Sequence, residues 1–199
     1  MPSKVEQIRE LGRRQGIIRP RDLDPLGIAR SYLARLCREG VLTRVGRGLY
    51  VFDDADVTEH RSLAEAAKRV PHGVICLLSA LQFHGLGTQA PFEVWMAIDL
   101  DARQPKSDHP PIRTVRMGGA ARASGIETHL IEGVDVPIYS AAKTVVDCFK
   151  FRNKIGLDVA IEALREFRRE NSGLGDEIWR FARICRVANV MRPYLESVA

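Results

Sequence analysis

The chain has 199 residues, 45% hydrophobic and 28% charged, an ordinary globular mixture sized for one large or two small domains. No apolar run reaches the roughly 18 residues of a membrane span, and the polar stretch from Met1 to Glu10 lacks the apolar core of a signal peptide. The four cysteines (Cys37, Cys76, Cys148, Cys185) are scattered without a C-x-x-C, which sets aside a disulfide framework and a zinc site and predicts a cytoplasmic protein with buried free thiols.

The net charge of +5 is unevenly placed. Residues 1–51 carry eleven basic and five acidic side chains, a net of +6; residues 52–138 carry a net of −4 and residues 139–199 a net of +3. A basic N-terminal quarter is the electrostatic footprint of a polyanion-binding module, and equally the composition of a solvated face.

Val5, Ile8 and Leu11 recur at helical spacing and predict a helix from Lys4 to about Gln15, stopped by Gly16. Pro20 to Leu26 reads as a short helical segment, with proline in its first turn and Asp22 early. A third helix is expected from Ile28 to Glu39. Ala29, Leu33, Leu36 and Cys37 form its buried stripe, while Ser31, Ala34, Arg35 and Arg38 face the opposite way and Arg30 and Tyr32 lie on the flanks. Such a helix suits a major groove: arginine bonds guanine bidentately, and serine and tyrosine hold phosphates. Val41 to Phe52 then reads as two strands around a glycine-containing turn, with Arg44 and Arg47 near its tip. Three helices followed by a basic hairpin is the order of a winged helix-turn-helix, whose third helix enters the major groove and whose wing tracks the backbone. A small helical or protein-docking domain is the blander reading.

The acidic stretch Asp53 to Glu59 holds the expected domain boundary, giving a DNA-binding domain over 1–53 and a second domain over 60–199. Helices are predicted over His60 to Val70 and Val74 to Leu86. Strands are predicted over Phe92 to Ile98, Ile112 to Met117 and Ile126 to Ile131, with Gly133 to Ile138 pairing as a hairpin. Ala102 to Pro111, with three prolines, reads as a loop. Ser140 caps a helix striped by Ala142, Val145, Val146 and Phe149, with Lys143 and Asp147 as an i,i+4 pair. Leu157 to Phe167 and Ile178 to Cys185 make further apolar stripes, separated by a loop over Asn171 to Gly175. The fold class is α+β: the winged helix-turn-helix, then a mixed domain with a small sheet and C-terminal helices.

Catalytic and metal constellations are weak. Ser79 and His84 are five residues apart, about 140° around a helix, and no G-x-S-x-G surrounds the serine. Glu93, Asp99 and Asp101 flank a strand and would serve a metal-dependent nuclease, but solvated strand-end carboxylates are the simpler reading. The five histidines lack ligand spacing, and no phosphate-cradling glycine motif is convincing. No cofactor, metal or catalytic residue is predicted, and the protein is not expected to be an enzyme. Arg180, Arg183 and Arg186 recur every third residue of the last clear helix; they would dock an acidic partner or add phosphate contacts, or simply form a solvated face.

Four stretches resemble the AbiEi family of antitoxins from type IV toxin–antitoxin systems. They are Ala29 to Phe52 with Arg47-Gly48 and Tyr50, Cys76 to Leu86 (Ser79-Ala80-Leu81-Gln82-Phe83-His84-Gly85-Leu86), the strand Val94 to Ile98, and Lys143-Thr144-Val145-Val146-Asp147-Cys148-Phe149 running on to Leu164. The resemblance implies a bacterial protein whose winged helix binds repeats in its own promoter and represses it. It also implies a C-terminal domain that opposes a nucleotidyltransferase-like toxin without a stable complex. With no apolar run long enough to span a membrane, no membrane partner is expected. Arg35, Arg38 and Arg47 match DNA-facing positions of the winged helix. The expected DNA-contacting set is Arg30, Ser31, Tyr32, Arg35, Arg38, Arg44 and Arg47. A stand-alone regulator on the same fold is the alternative reading, followed by the nuclease and the protein-docking module.

Overall fold

The computed structural model describes residues 2–53, 58–107, 109–171 and 175–197. They form two compact units: residues 1–71 together with 129–136, and residues 72–128 together with 137–199. The boundary expected at 53–59 and the loop expected at 171–175 fall mostly on 54–57 and 172–174, outside the described residues.

In the first unit, helix α1 spans Lys4–Gln15. Ser3 starts it with a reciprocal cap: its hydroxyl accepts from the Glu6 amide at 3.2 Å, and the Glu6 carboxylate accepts from the Ser3 amide. Gly16, at φ +61°, ends it as predicted. Buried Ile18 then exchanges two backbone hydrogen bonds with Tyr50, at 2.8 and 2.9 Å. Pro20–Leu26 is helical as expected, but as a tighter 3-10 helix closed by left-handed Gly27.

Helix α2 spans Ser31–Arg38 and begins three residues later than the sequence pattern predicted. Gly27 and Ile28 form the connecting turn, in which the Ile28 amide donates to the Leu23 carbonyl at 3.3 Å. Ile28, 4% exposed, therefore takes the core position expected of Ala29, which is exposed. Strands β1 (Leu42–Gly46) and β2 (Leu49–Phe52) pair antiparallel, Leu42 opposite Phe52. Ile8, Ile18, Leu23, Ile28, Leu33, Leu36, Leu42 and Phe52 form one core beneath these elements. Helix α3 (Arg61–Arg69) follows, and Arg19 donates to its Lys68 carbonyl at 3.0 Å.

In the second unit the helix predicted over Val74 to Leu86 is split. Val74–Ile75 forms strand β3, and α4 covers only Leu77–Phe83. The reason lies in the partners: β3 pairs antiparallel with β4 (Val94–Ile98) and parallel with β7 (Val134–Tyr139), and two β-branched residues between strands gain more there than in a helical turn. Strand β5 (Ile112–Arg116) runs parallel to β4, and β6 (Ile126–Ile131) completes the sheet in the order β5-β4-β3-β7-β6. Periodicity missed the short α5 (Gly119–Ala123), which is too brief to show a stripe.

Helix α6 (Ala141–Lys150) is capped by Ser140, whose hydroxyl accepts from the Lys143 amide at 3.3 Å. Then come α7 (Arg152–Ile155), α8 (Leu157–Glu170), α9 (Gly175–Ile184) and α10 (Ala188–Ser197). Trp95, Ala97, Tyr139, Phe149, Leu164 and Phe181 lie in the core between sheet and helices. The fold is thus mixed α+β with small sheets and many helices. Among the described residues no helix is long and apolar enough to cross a membrane.

Candidate nucleic-acid interface

The N-terminal unit sets its basic side chains on a rigid base. Leu33 and Leu36 are completely buried, which pins one face of α2 to the core. Ser31, Ala34, Arg35 and Arg38 consequently stand exposed on the other face, as the helical spacing predicted. Half-buried Tyr32 lies between, with the Arg35 guanidinium 3.9 Å from its ring centroid. The same guanidinium lies 3.3 Å from Glu39, one turn on. Arg35 is therefore a braced planar donor rather than a freely rotating one.

Arg30 sits just before α2. Its Nε donates to Asp24 at 2.9 Å in a two-pronged pair, which holds the Asp24 carboxyl below its ordinary range and raises the arginine further. Arg38 and Arg47 are exposed and form no ion pair among the described residues. Arg44 donates from Nε to the Gly46 carbonyl at 3.2 Å, curling its side chain along the hairpin end. The hairpin turn is Arg47-Gly48, and Gly48 adopts φ +72°, a conformation glycine accepts without strain. Arg44 and Arg47 thus lie at the tip of the β1–β2 hairpin, where the sequence placed them.

Two acidic residues escaped the sequence reading: Asp24 and Glu39, the partners of Arg30 and Arg35. The i,i+4 spacing of Arg35 and Glu39 was a usable signal. Asp24 reaches Arg30 across the Gly27 turn and has no periodic signature.

The remaining candidates separate. Arg180 and Arg183 are exposed on α9, Arg180 lying 3.5 Å from Glu177 and stacked 4.7 Å from the Phe181 ring centroid. Arg186 lies beyond the helix end at φ +60°, so the expected three-residue row is broken after Arg183. Buried Ser79 accepts the Trp95 amide at 2.9 Å, and His84 Nε2 lies 2.7 Å from the Tyr139 carbonyl oxygen; both tie α4 to the sheet. Glu93 lies 3.7 Å from Arg113 and Asp99 3.7 Å from Arg122, ordinary surface pairs. Among the described residues no three His, Cys, Asp or Glu side chains are gathered as a metal site.

Residues 6–52 match the family model described as transcriptional regulator, AbiEi antitoxin, which bears out the resemblance over the N-terminal stretch. No curated protein matches the chain. Among solved structures, the fold is similar to that in the crystal structure of the RV2827C protein from Mycobacterium tuberculosis. The TM-score is 0.53 at 15% identity, over 100% of this chain and 81% of that one. At this identity the likeness is one of fold.

Proposed function

We propose, from the match of residues 6–52 to the AbiEi antitoxin regulator model, that residues 1–53 form a winged helix-turn-helix DNA-binding domain and that the protein represses its own operon in the bacterial cytoplasm. On this reading α2 enters the major groove of a promoter repeat, and Arg35 and Arg38 read base edges. Arg30, Ser31 and Tyr32 hold phosphates beside it, while Arg44 and Arg47 follow the backbone from the β1–β2 hairpin. The observation that carries the proposal is the exposed Ser31, Arg35 and Arg38 face of α2, set on buried Leu33 and Leu36 in a segment of net charge +6. The antitoxin part is that the second domain, 60–199, opposes a nucleotidyltransferase-like toxin without forming a stable complex.

A gel-shift titration on the DNA immediately upstream of the gene, with random duplex as competitor, tests the DNA reading. Preferential, salt-sensitive binding is expected. Affinity no greater than for random DNA overturns the autorepressor. Co-expression with the product of an adjacent nucleotidyltransferase gene tests the antitoxin reading, with restored growth as the expected result.

A second reading is a regulator with no toxin. It is favoured by one observation, that the family match ends at residue 52 and leaves the second domain unmatched. It predicts promoter binding with no effect on toxin-arrested growth.

A further inference from the structure

We propose that β6 is a self-association edge, on which a second copy of this chain adds its own β6 antiparallel and joins two sheets into one. The strand ends the five-stranded sheet, and among the described residues no other strand flanks its outer side. The turn that joins it to β7 is Glu132-Gly133, with φ +47° and +74°. Two central residues at positive φ make a type I′ two-residue hairpin, which sets Ile131 opposite Val134 as a hydrogen-bonded pair. Alternation then turns the backbone groups of residues 127, 129 and 131 toward β7. Those of Ile126, Thr128 and Leu130 point outward.

These outward-facing residues are also solvent-exposed. Leu130 is 74% exposed and Ile126 39%, and Thr128 is exposed between them. An edge strand with open backbone groups and exposed apolar side chains is a template for pairing unless it is guarded. From 126 to 131 the sequence holds no proline, lysine or arginine. The opposite edge is different: β5 carries exposed Arg113 and Arg116, charged residues of the kind that guard an edge strand.

The occupant follows from self-complementarity. An antiparallel pairing centred on Thr128 places each Thr128 opposite its own copy and Ile126 opposite Leu130. These are the positions whose backbone groups face outward, so the ladder and the apolar contacts share one register. The same register sets Glu127 opposite His129 of the second copy, so no like charges meet. A two-fold axis through Thr128 closes the pairing at two chains.

Sedimentation velocity on the full chain, over a micromolar concentration series, is expected to show a monomer–dimer equilibrium. Leu130→Lys puts a charge into both apolar pairs. Thr128→Pro deletes an outward amide while leaving the β7 ladder intact. Each is expected to raise the dimer dissociation constant by about tenfold or more, with circular dichroism and melting showing the fold retained. Register is tested by oxidation: Thr128→Cys should give a disulfide-linked dimer, its Cα atoms lying about 5.5 Å apart, whereas Leu130→Cys, facing residue 126, should not. A wild-type chain that stays monomeric throughout overturns the proposal. So do dimers insensitive to both variants, or equal cross-linking at 128 and 130.

Discussion

Lys143 Nζ lies 2.5 Å from Asp147 Oδ2, one turn apart on α6, and neither side chain is exposed at all. The ammonium also lies 4.1 Å from the Tyr139 ring centroid, and the Cys185 thiol donates to the other Asp147 oxygen at 3.5 Å. The site is thus a neutral, internally satisfied island in the hydrophobic core. Two charges taken out of water together gain little net stability, but stranding one of them is costly. Lys143→Met is expected to lower the unfolding free energy by about 3–5 kcal/mol. The double variant Lys143→Met with Asp147→Leu should recover most of that. Urea denaturation of the three proteins measures it, and a single variant as stable as the double would remove the pair from the account.

Acid should affect this site in the opposite sense from most carboxyls. Burial raises the Asp147 carboxyl above its ordinary 3.8, and Lys143 only partly offsets that shift. Between the unfolded and folded values the native state holds the extra proton. This group's stabilising contribution is therefore complete below the unfolded value and is lost as pH rises through the folded one. Asp24, lowered by Arg30, behaves conversely: its contribution is present above the unfolded value and lost as pH falls. The double variant Lys143→Met with Asp147→Leu removes the titration without stranding either charge. Relative to this variant, wild-type stability should rise as pH falls through the folded value toward 3.8. A pH-independent difference in denaturation midpoints would contradict the assignment.

Gly125 fits its place for two separable reasons. Its φ is +71°, and a Cβ there would meet Lys143 Cβ at 2.8 Å and Phe181 Cζ at 2.9 Å. Gly85 shares the first reason without the second: its φ is +67°, with open space around the missing Cβ. Gly85→Ala should cost about 1–2 kcal/mol from backbone strain alone. Gly125→Ala should cost roughly 2–4 kcal/mol, since overpacking adds to the strain. Equal losses in thermal or urea unfolding would show that the core yields around position 125.

The sequence was most informative where one element carries its own signal. The stripe of Leu33 and Leu36, the stop at Gly16, the cap at Ser140 and the pairing of Lys143 with Asp147 are local relations, and each stands as read. Tertiary partners decided the rest. Val74 and Ile75 continue an apolar helical pattern, yet two neighbouring strands draw them into the sheet. Ile18 shows no strand alternation and pairs with Tyr50 only because β2 is already in place. Ala29 fitted the α2 stripe by spacing, but the turn at Gly27 put Ile28 in the core instead. At the interface, the basic side chains were legible from charge and periodicity. Their braces were less so, since Asp24 meets Arg30 across a turn that no periodicity describes.

The two kinds of arginine at the interface should fail differently. Arg35 stacks on Tyr32 and pairs with Glu39 on the exposed face of α2, and on the proposed function it reads a base. Arg35→Ala should cost about ten- to a hundredfold on the upstream DNA and much less on random duplex, so that sequence preference narrows. Arg44, at the hairpin tip, is on the same proposal a phosphate contact. Arg44→Ala should weaken specific and random duplex by similar factors and reduce the slope of log affinity against log salt by about one. Glu39→Gln loosens the brace without removing the guanidinium, and should reduce preference for the upstream DNA while leaving the salt slope unchanged. Fluorescence-anisotropy titrations on both duplexes over a salt series supply all three comparisons. Identical losses for Arg35→Ala and Arg44→Ala on both duplexes would mean that α2 contacts only the backbone, leaving promoter recognition to DNA shape.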